Sequence, residues 1–495
     1  MIFISILIPV FTGLILLLSP EWKNRKLLCA FTTAALLLSV SAVGITLSVT
    51  GDKEAVTLFN LTQSLPILFK IDGVGRFFAV LTGAVWVLAA IYSFVYMGHE
   101  QKEKCYYGFY LLSYAVLIGL DFSGNLITFY LFYELMSLLT LPLVLHSETK
   151  EATMAGLKYL FFSLAGAYMV LFGLFILNRF GNTLTFTAGG VLDLTLIQGK
   201  EGLLLAAAFL MLLGFGVKAG MFPLHAWLPT AHPVAPAPAS GVLSGIIVKC
   251  GILGVVRTVY YLFGVGFLRG TWVQQVWLVL ILLTVLLGSM MAYREKVLKK
   301  RLAYSTVSQV AYILFGLAMM QPGSFVGAFL HIGAHAFMKC GLFLIAGVII
   351  FKTGRTKVDE LAGIGREMPV TMVCYTLLSL SLIGIPPFAG FVSKWYLGMG
   401  SVLAEAPVFD VLGPAVLLVS ALLTAGYLLP LSIRGFLPGE ETAGIKVEKQ
   451  EPSMLMLVPI LILTILITIG GLFPDQIIEF VSRIVGTLFK EVLGG

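Results

Sequence analysis

The chain has 495 residues, of which 59% are hydrophobic and 12% charged, with a formal net charge of +7. The apolar share far exceeds that of soluble domains and the charged share falls well below it, which excludes a water-soluble globular protein. No G-x-x-x-x-G-K-[ST] run, no strand-flanked G-x-G-x-x-G and no loop long enough for a nucleotide-binding domain occur, so any energy must come from an ion gradient or a partner.

A bilayer core takes about 20 apolar residues per helix, and such stretches recur from residue 2 to about residue 473. The pattern predicts an all-α polytopic membrane protein of about 14 transmembrane helices. They fall near 2–19, 27–49, 76–97, 106–120, 124–145, 155–178, 202–228, 237–262, 272–293, 302–320, 324–351, 370–400, 413–434 and 455–473. The first segment has no basic leader and no small-residue cleavage site before Glu21, so it is expected to stay as a helix rather than be removed. After the last span, DQIIEFVSRIVGTLFKEVL from Asp475 is amphipathic and is expected along the membrane surface or a partner, or as a frayed tail.

Loops after odd-numbered helices carry roughly eighteen Lys and Arg, and those after even-numbered helices roughly seven. The basic loops belong in the cytoplasm, so both termini are expected outside a plasma membrane, with REKVLKKR (Arg294 to Arg301) as the strongest anchor. The net positive charge then reads as cytoplasmic loop bias and contact with anionic lipid, not nucleic-acid binding. The five cysteines (Cys29, Cys105, Cys250, Cys340, Cys374) include no C-x-x-C pair, so apolar packing is expected of them rather than cluster, zinc or disulfide chemistry. Glycines such as Gly214, Gly216 and Gly220 read as ordinary helix packing. Tyr106, Tyr107, Tyr110 and Trp227 read as interfacial anchors.

Two helices look broken at comparable points: GFGVKAGMFPLHAW (214–227) and SLIGIPPFAGFVSKW (381–395). Proline removes a backbone donor and clashes with the preceding turn. The carbonyls so exposed are tolerable at membrane depth only in a protein-lined or wet cavity. Each break carries a lysine, Lys218 and Lys394.

Glu134 sits mid-helix in LITFYLFYELMSLLTLPLVL, and Lys249 is flanked by apolar residues in SGVLSGIIVKCGILGVV. A charge at that depth costs at least about 2.5–3.5 kcal/mol and faces a cavity or a partner charge. The bland readings are a structural ion pair for Glu134 and a static bond to a neighbouring carbonyl for Lys249. Burial disfavours the charged form of an amine, and an amine that exchanges between both forms is what a proton relay needs. A carboxylate about 4 Å from an ammonium, at an effective dielectric near 20, contributes about 4 kcal/mol. Movement of Glu134 relative to Lys218 would therefore switch the proton affinity of that lysine. His331, His335 and Lys339 stand at i, i+4 and i+8 of one helix, on one slowly drifting stripe. Histidine exchanges protons near neutral pH. A metal site is disfavoured because the glutamate of HExxH and an obvious third ligand are missing. Packing remains the bland reading for either histidine.

At HAWLPTAHPVAPAPASG (225–241), RLAYSTVSQVAYILFG (301–316) and HIGAHAFMKCGLFLIAG (331–347), the sequence resembles the antiporter-like family. That family comprises proton-pumping subunits of respiratory complex I, large subunits of Mrp-type cation/proton antiporters, and membrane subunits of energy-converting hydrogenases. The resemblance runs from IDGVGRFF (71–78) to about residue 400. It implies two inverted five-helix repeats, each with a discontinuous helix. The corresponding division is residues 1–100 (helices one to three), 101–265 and 266–436 (the repeats), and 437–495 (helix fourteen and the amphipathic segment). It further implies a charge pair of Glu134 with Lys218, a central relay at Lys249, a bridge of His331, His335 and Lys339, and an exit group at Lys394. Lysine at 394 is similar to Mrp D-type subunits and to some complex I and hydrogenase subunits, whereas another complex I branch has glutamate there. The chain also stops soon after helix fourteen, without the long lateral helix of the largest complex I subunit, which together favours an Mrp D-like character.

The function expected is a proton-translocating subunit of a multi-subunit Mrp-like, complex I-like or hydrogenase-like assembly. It would have no cofactor or metal of its own and no redox chemistry in this chain. Its partners would be other membrane subunits, lipid, protons and sodium as a further candidate ion. The alternatives are an autonomous secondary cation/proton antiporter and a structural membrane subunit. A solute carrier calls for a central polar pocket, and a scaffold needs no line of titratable groups.

Overall fold

A computed structural model describes residues 1–51, 54–62, 65–193, 195–404, 406–439 and 449–489. Ten of its helices are long and apolar enough to cross a membrane, and the apolar segments Ile2–Leu18 and Pro369–Ile383 are shorter. The helices in chain order are α1 (Ile2–Leu18), α2 (Arg25–Val49), α3 (Gly73–Tyr96), α4 (Glu103–Asp121), α5 (Leu126–Leu145), α6 (Lys150–Phe180), α7 (Glu201–Lys218) and α8 (Leu228–Val234). They continue as α9 (Ala237–Phe263), α10 (Trp272–Arg294), α11 (Leu298–Ala318), α12 (Pro322–Thr353) and α13 (Pro369–Ile383). The last are α14 (Ala389–Val402), α15 (Phe409–Phe436), α16 (Met454–Leu472) and α17 (Asp475–Leu488). Helices α4 and α11 are buried along almost their whole length. The first is wrapped by α1, α3 and α5, and the second by α8, α10 and α12.

Local sequence sets the helix starts. Asp72, Asn125 and Thr149 cap α3, α5 and α6 by accepting the backbone N–H of Gly75, Thr128 and Ala152 at 2.8, 2.9 and 3.1 Å, which satisfies donors that have no intrahelical partner. Both expected breaks are present. The chain leaves the helix at Ala219–Trp227 between α7 and α8, and at Gly384–Phe388 between α13 and α14. Gly384 has φ +98°, a conformation open to glycine without a steric cost. A Cβ there would meet Lys394 Cδ at 2.8 Å, so the lysine stem lies directly over the break.

Loop contacts fix the threading. On one face, Arg25 pairs with Glu103 at 2.8 Å and Lys102 with Glu148 at 2.5 Å. Val358 N donates to Lys296 O and Gly363 N to Arg434 O. On the other face, Lys70 N donates to Phe122 O, Leu126 N to Leu184 O and Gly189 N to Tyr260 O. His99 of the α3–α4 connection packs edge-on against Phe351 at the end of α12, with ring centres 4.7 Å apart, so the basic loops share one face.

Three expectations are corrected. A hairpin, β1 (Ala55–Thr62) antiparallel to β2 (Leu65–Lys70), occupies the α2–α3 connection, where the pattern of spans predicts only loop. Tyr106, Tyr107, Tyr110 and Trp227 are not interfacial. All are fully buried, with Trp227 Nε1 donating to Val217 O and Tyr110 OH to Trp86 O. The face of α17 formed by Val481, Ile484 and Leu488 is buried against this chain's own α3 and α12, not against the membrane surface. The end of that amphipathic segment, from residue 490, lies outside the described residues.

Candidate functional site

Lys218 closes α7 and is buried. Its ammonium donates to Ser137 Oγ of α5 and to Tyr159 OH and Ser163 Oγ of α6, each at 2.9 Å. It also lies 4.2 Å from the centre of the Tyr159 ring. Three donors are thus matched by three hydroxyls. Among the described residues, no ion pair joins Lys218 to Glu134. Glu134 is half-buried, one turn from Tyr130, and interacts with Lys218 electrostatically. Helix α7 can lie this close to α9 because Gly251 faces it. A Cβ on Gly251 would sit 2.5 Å from Phe215 O and 3.1 Å from Lys218 Cβ.

Lys249 is fully buried on α9. Its Nζ donates to Ser244 O and to His335 Nδ1, both at 2.6 Å. Ser244 lies in a π-helical stretch, Leu243–Ile247, where a wider turn moves carbonyls out of the α-helical ladder. The ammonium uses a carbonyl so released.

His335 and His331 lie with ring centres 5.9 Å apart. His331 Nδ1 is 2.8 Å from Ser393 Oγ, which itself donates to Gly390 O at 3.0 Å. With its hydroxyl proton committed to Gly390, Ser393 accepts, and His331 carries its proton on Nδ1. His335 Nδ1 accepts from Lys249, so its proton is on Nε2. These tautomers are assigned from the network. They leave a donor on His335 Nε2 and an acceptor on His331 Nε2, both buried and without a hydrogen-bond partner among the described residues.

Beyond His331, its ring stacks on Tyr312 at 5.8 Å, and Lys394 Nζ lies 4.9 Å from the centre of the same ring. The half-buried Lys394 donates to Leu382 O at 2.6 Å and Ile383 O at 2.9 Å, the last carbonyls of α13. Lys339, though on the histidine stripe, turns to α11 and donates to Leu302 O at 3.1 Å.

The sequence reading missed several buried groups. Arg257 is held by Asp72 and sandwiched by Phe186 and Tyr261 at 4.7 and 4.6 Å. Asp121 accepts from Thr82 at 3.1 Å. Lys299, which stands within a run of surface-type residues, is buried with its Nζ 2.5 Å from Ala235 O. His232 is fully buried. Among the described residues no three His, Cys, Asp or Glu side chains converge as metal ligands.

A helical membrane chain with two interrupted helices and a line of buried lysines and histidines through its centre defines an antiporter-like protein. Residues 123–424 match the family described as NADH:quinone oxidoreductase/Mrp antiporter, transmembrane, and the chain belongs to that family. It is 34% identical to NADH-quinone oxidoreductase subunit N of Desulforudis audaxviator, over 83% of each chain. It is 28% identical to a D-type Na(+)/H(+) antiporter subunit of Bacillus subtilis, over 99% of this chain and 97% of that one. Its fold matches a chain of the Mrp complex from Dietzia sp. with a TM-score of 0.85 at 20% identity, covering 99% and 97% of the two chains. The three motifs that carried the resemblance all fall inside the matched region.

Proposed function

We propose that this chain is the proton-translocating subunit of a multi-subunit membrane complex, with Glu134, Lys218, Lys249, His335, His331 and Lys394 as its relay. The observation that carries the reading is the buried sequence Lys249–His335–His331–Lys394. One 2.6 Å hydrogen bond opens it, and two complementary imidazole nitrogens stand at its middle. A proton passing from Lys249 to His335 Nδ1 releases the proton on Nε2 toward His331 Nε2. The imidazolium so formed sheds a proton toward Lys394, past Ser393 and Tyr312. The hydroxyl cage of Lys218 suits either form of the amine, since a hydroxyl donates as readily as it accepts. Glu134 acts as the charge that biases it. Lys339 stands as a side station.

Residues 101–265 and 266–436 are read as the two inverted repeats, each with one of the broken helices. The basic loops are placed in the cytoplasm of a cell whose plasma membrane holds the complex, with the termini outside. Both relatives are subunits by name, which favours an assembly over an autonomous antiporter. The partners are other membrane subunits of an Mrp-like or redox-driven complex, and any redox cofactor belongs to them. The test is proton and sodium flux in proteoliposomes holding the whole assembly. Lys218→Ala and Glu134→Ala each impair transport while leaving expression and assembly intact. Normal flux in both assembled variants would reduce the two residues to structural roles.

A further inference from the structure

The relay needs a source of protons, and its Lys218 end does not face a loop. Lys218 is enclosed by hydroxyls of α5 and α6. Glu134 lies on the outer side of α5 between exposed Leu131 and Leu138, where lipid or a partner would lie rather than water. A separate set of ionisable groups stands toward the face that carries the basic loops, and the route above does not use it.

His232 of α8 is fully buried, and neither ring nitrogen has a hydrogen-bond partner among the described residues. Its ring lies flat on Phe343, with centres 4.5 Å apart and planes inclined by 19°. Phe343 is one turn beyond Lys339 on α12, and Lys339 donates to Leu302 O of α11. Leu302 in turn is one turn from Lys299, at the loop end of α11. The Lys299 ammonium closes the circuit by reaching Pro233 O at 3.2 Å and Ala235 O at 2.5 Å, just past His232 in the chain. Three elements thus bring Lys299, His232 and Lys339 to one place, and Lys249 lies within electrostatic range of His232 and Lys339.

Packing alone does not account for this set. A ring that only stacks on Phe343 could be phenylalanine, which has no buried nitrogens to satisfy. A lysine whose neighbours Lys296 and Lys300 reach solvent has no need to turn inward. We propose that Lys299 and His232 form an inlet that delivers protons from the basic-loop face to the central relay. An amine at Lys299 takes a proton from water on that face and passes it to one ring nitrogen of His232. The other ring nitrogen gives up its proton to the amine of Lys339 or Lys249, through water bridging the open ring positions. The imidazole then returns to its first tautomer. One proton moves per cycle, and no bond other than N–H forms or breaks.

This inlet rests on the relay reading, and the experiment separates the two. Proton flux is measured in proteoliposomes of the complete assembly, with assembly checked for each variant. His232→Phe keeps the stack on Phe343 and loses both proton positions, and flux falls at least tenfold. Lys299→Arg keeps the charge and the donors to Pro233 and Ala235 but cannot release a proton, and falls likewise. Lys299→His, which can exchange one, recovers flux above the arginine variant. Full flux in His232→Phe or Lys299→Arg overturns the inlet. If Lys249→Met also retains full flux, the relay reading itself is lost. If Lys249→Met is inactive while the two inlet variants are not, the inlet alone fails.

Discussion

Lys394→Arg separates charge from proton exchange at the proposed exit of the relay. In the structure the Lys394 ammonium meets the two carbonyls that the break at Gly384 frees, at 2.6 and 2.9 Å, above the face of Tyr312. Hydrogen bonds from a charged donor contribute about 1.5–3 kcal/mol each, and the ring contact about 0.5–2 kcal/mol. A guanidinium keeps the charge and can donate to the same carbonyls, so Lys394→Arg is expected to assemble. What it loses is deprotonation. Removing a positioned acid–base group costs about 10²–10⁴ in rate, or about 3–5 kcal/mol on the barrier. Flux is therefore expected to fall at least about a hundredfold with assembly preserved. Lys394→Ala forfeits both contributions. Lys394→Glu is intermediate, because an ionised carboxylate is repelled by the two carbonyl oxygens while the protonated acid can donate to one of them. The assay is proton or sodium flux in proteoliposomes of the whole assembly, with thermal melting of each purified variant alongside. Full flux in Lys394→Arg would show that a fixed positive charge suffices, and the exit role would be abandoned.

Gly251→Ala places a Cβ 2.5 Å from Phe215 O and 2.7 Å from Ala219 N. Overpacking of this kind costs about 1–3 kcal/mol, so the melting temperature drops and the displaced Lys218 slows flux. An unchanged melting point would mean that the α7–α9 contact is slack. For sidedness, Lys296→Cys, in a background with the partly exposed Cys29 and Cys105 replaced by serine, reacts with an impermeant thiol reagent from the cytoplasmic side in oriented vesicles. Labelling from the outside would invert the topology.

The buried charges proposed as the relay were legible because the bilayer makes a charge within an apolar run conspicuous. Glu134, Lys218 and Lys249 each interrupt an apolar run, and the i, i+4, i+8 stripe on α12 is plain from spacing. The broken helices were legible for a similar reason, since proline and glycine beside a lysine advertise freed carbonyls. The groups that hold the relay were not. Ser137, Tyr159 and Ser163, which bind the Lys218 ammonium, come from two other helices and are residue types common in any membrane bundle. Lys299 was hidden inside a run of basic residues, where the end of a helix decides which lysine turns inward. His232 stood among prolines and alanines that gave no periodicity to place it. The hairpin at 55–70 was missed because β1 is exposed along its whole length, so it shows no alternation of buried and exposed positions. The tyrosines of α4 were misassigned because an interfacial belt and a tyrosine buried between helices have the same composition. The enclosure of α4 by its neighbours, which only the fold reveals, separates the two.

On the proposed route, protons cross this chain through Lys249 and the two histidines beside it. The most direct measurement is proton flux through the complete assembly carrying Lys249→Met, which keeps an unbranched apolar stem but removes the amine and its 2.6 Å bond to His335. Flux is expected to fall at least about a hundredfold, the scale of a missing proton-transfer group, with assembly intact. Flux equal to the parent's in the assembled variant would contradict that route.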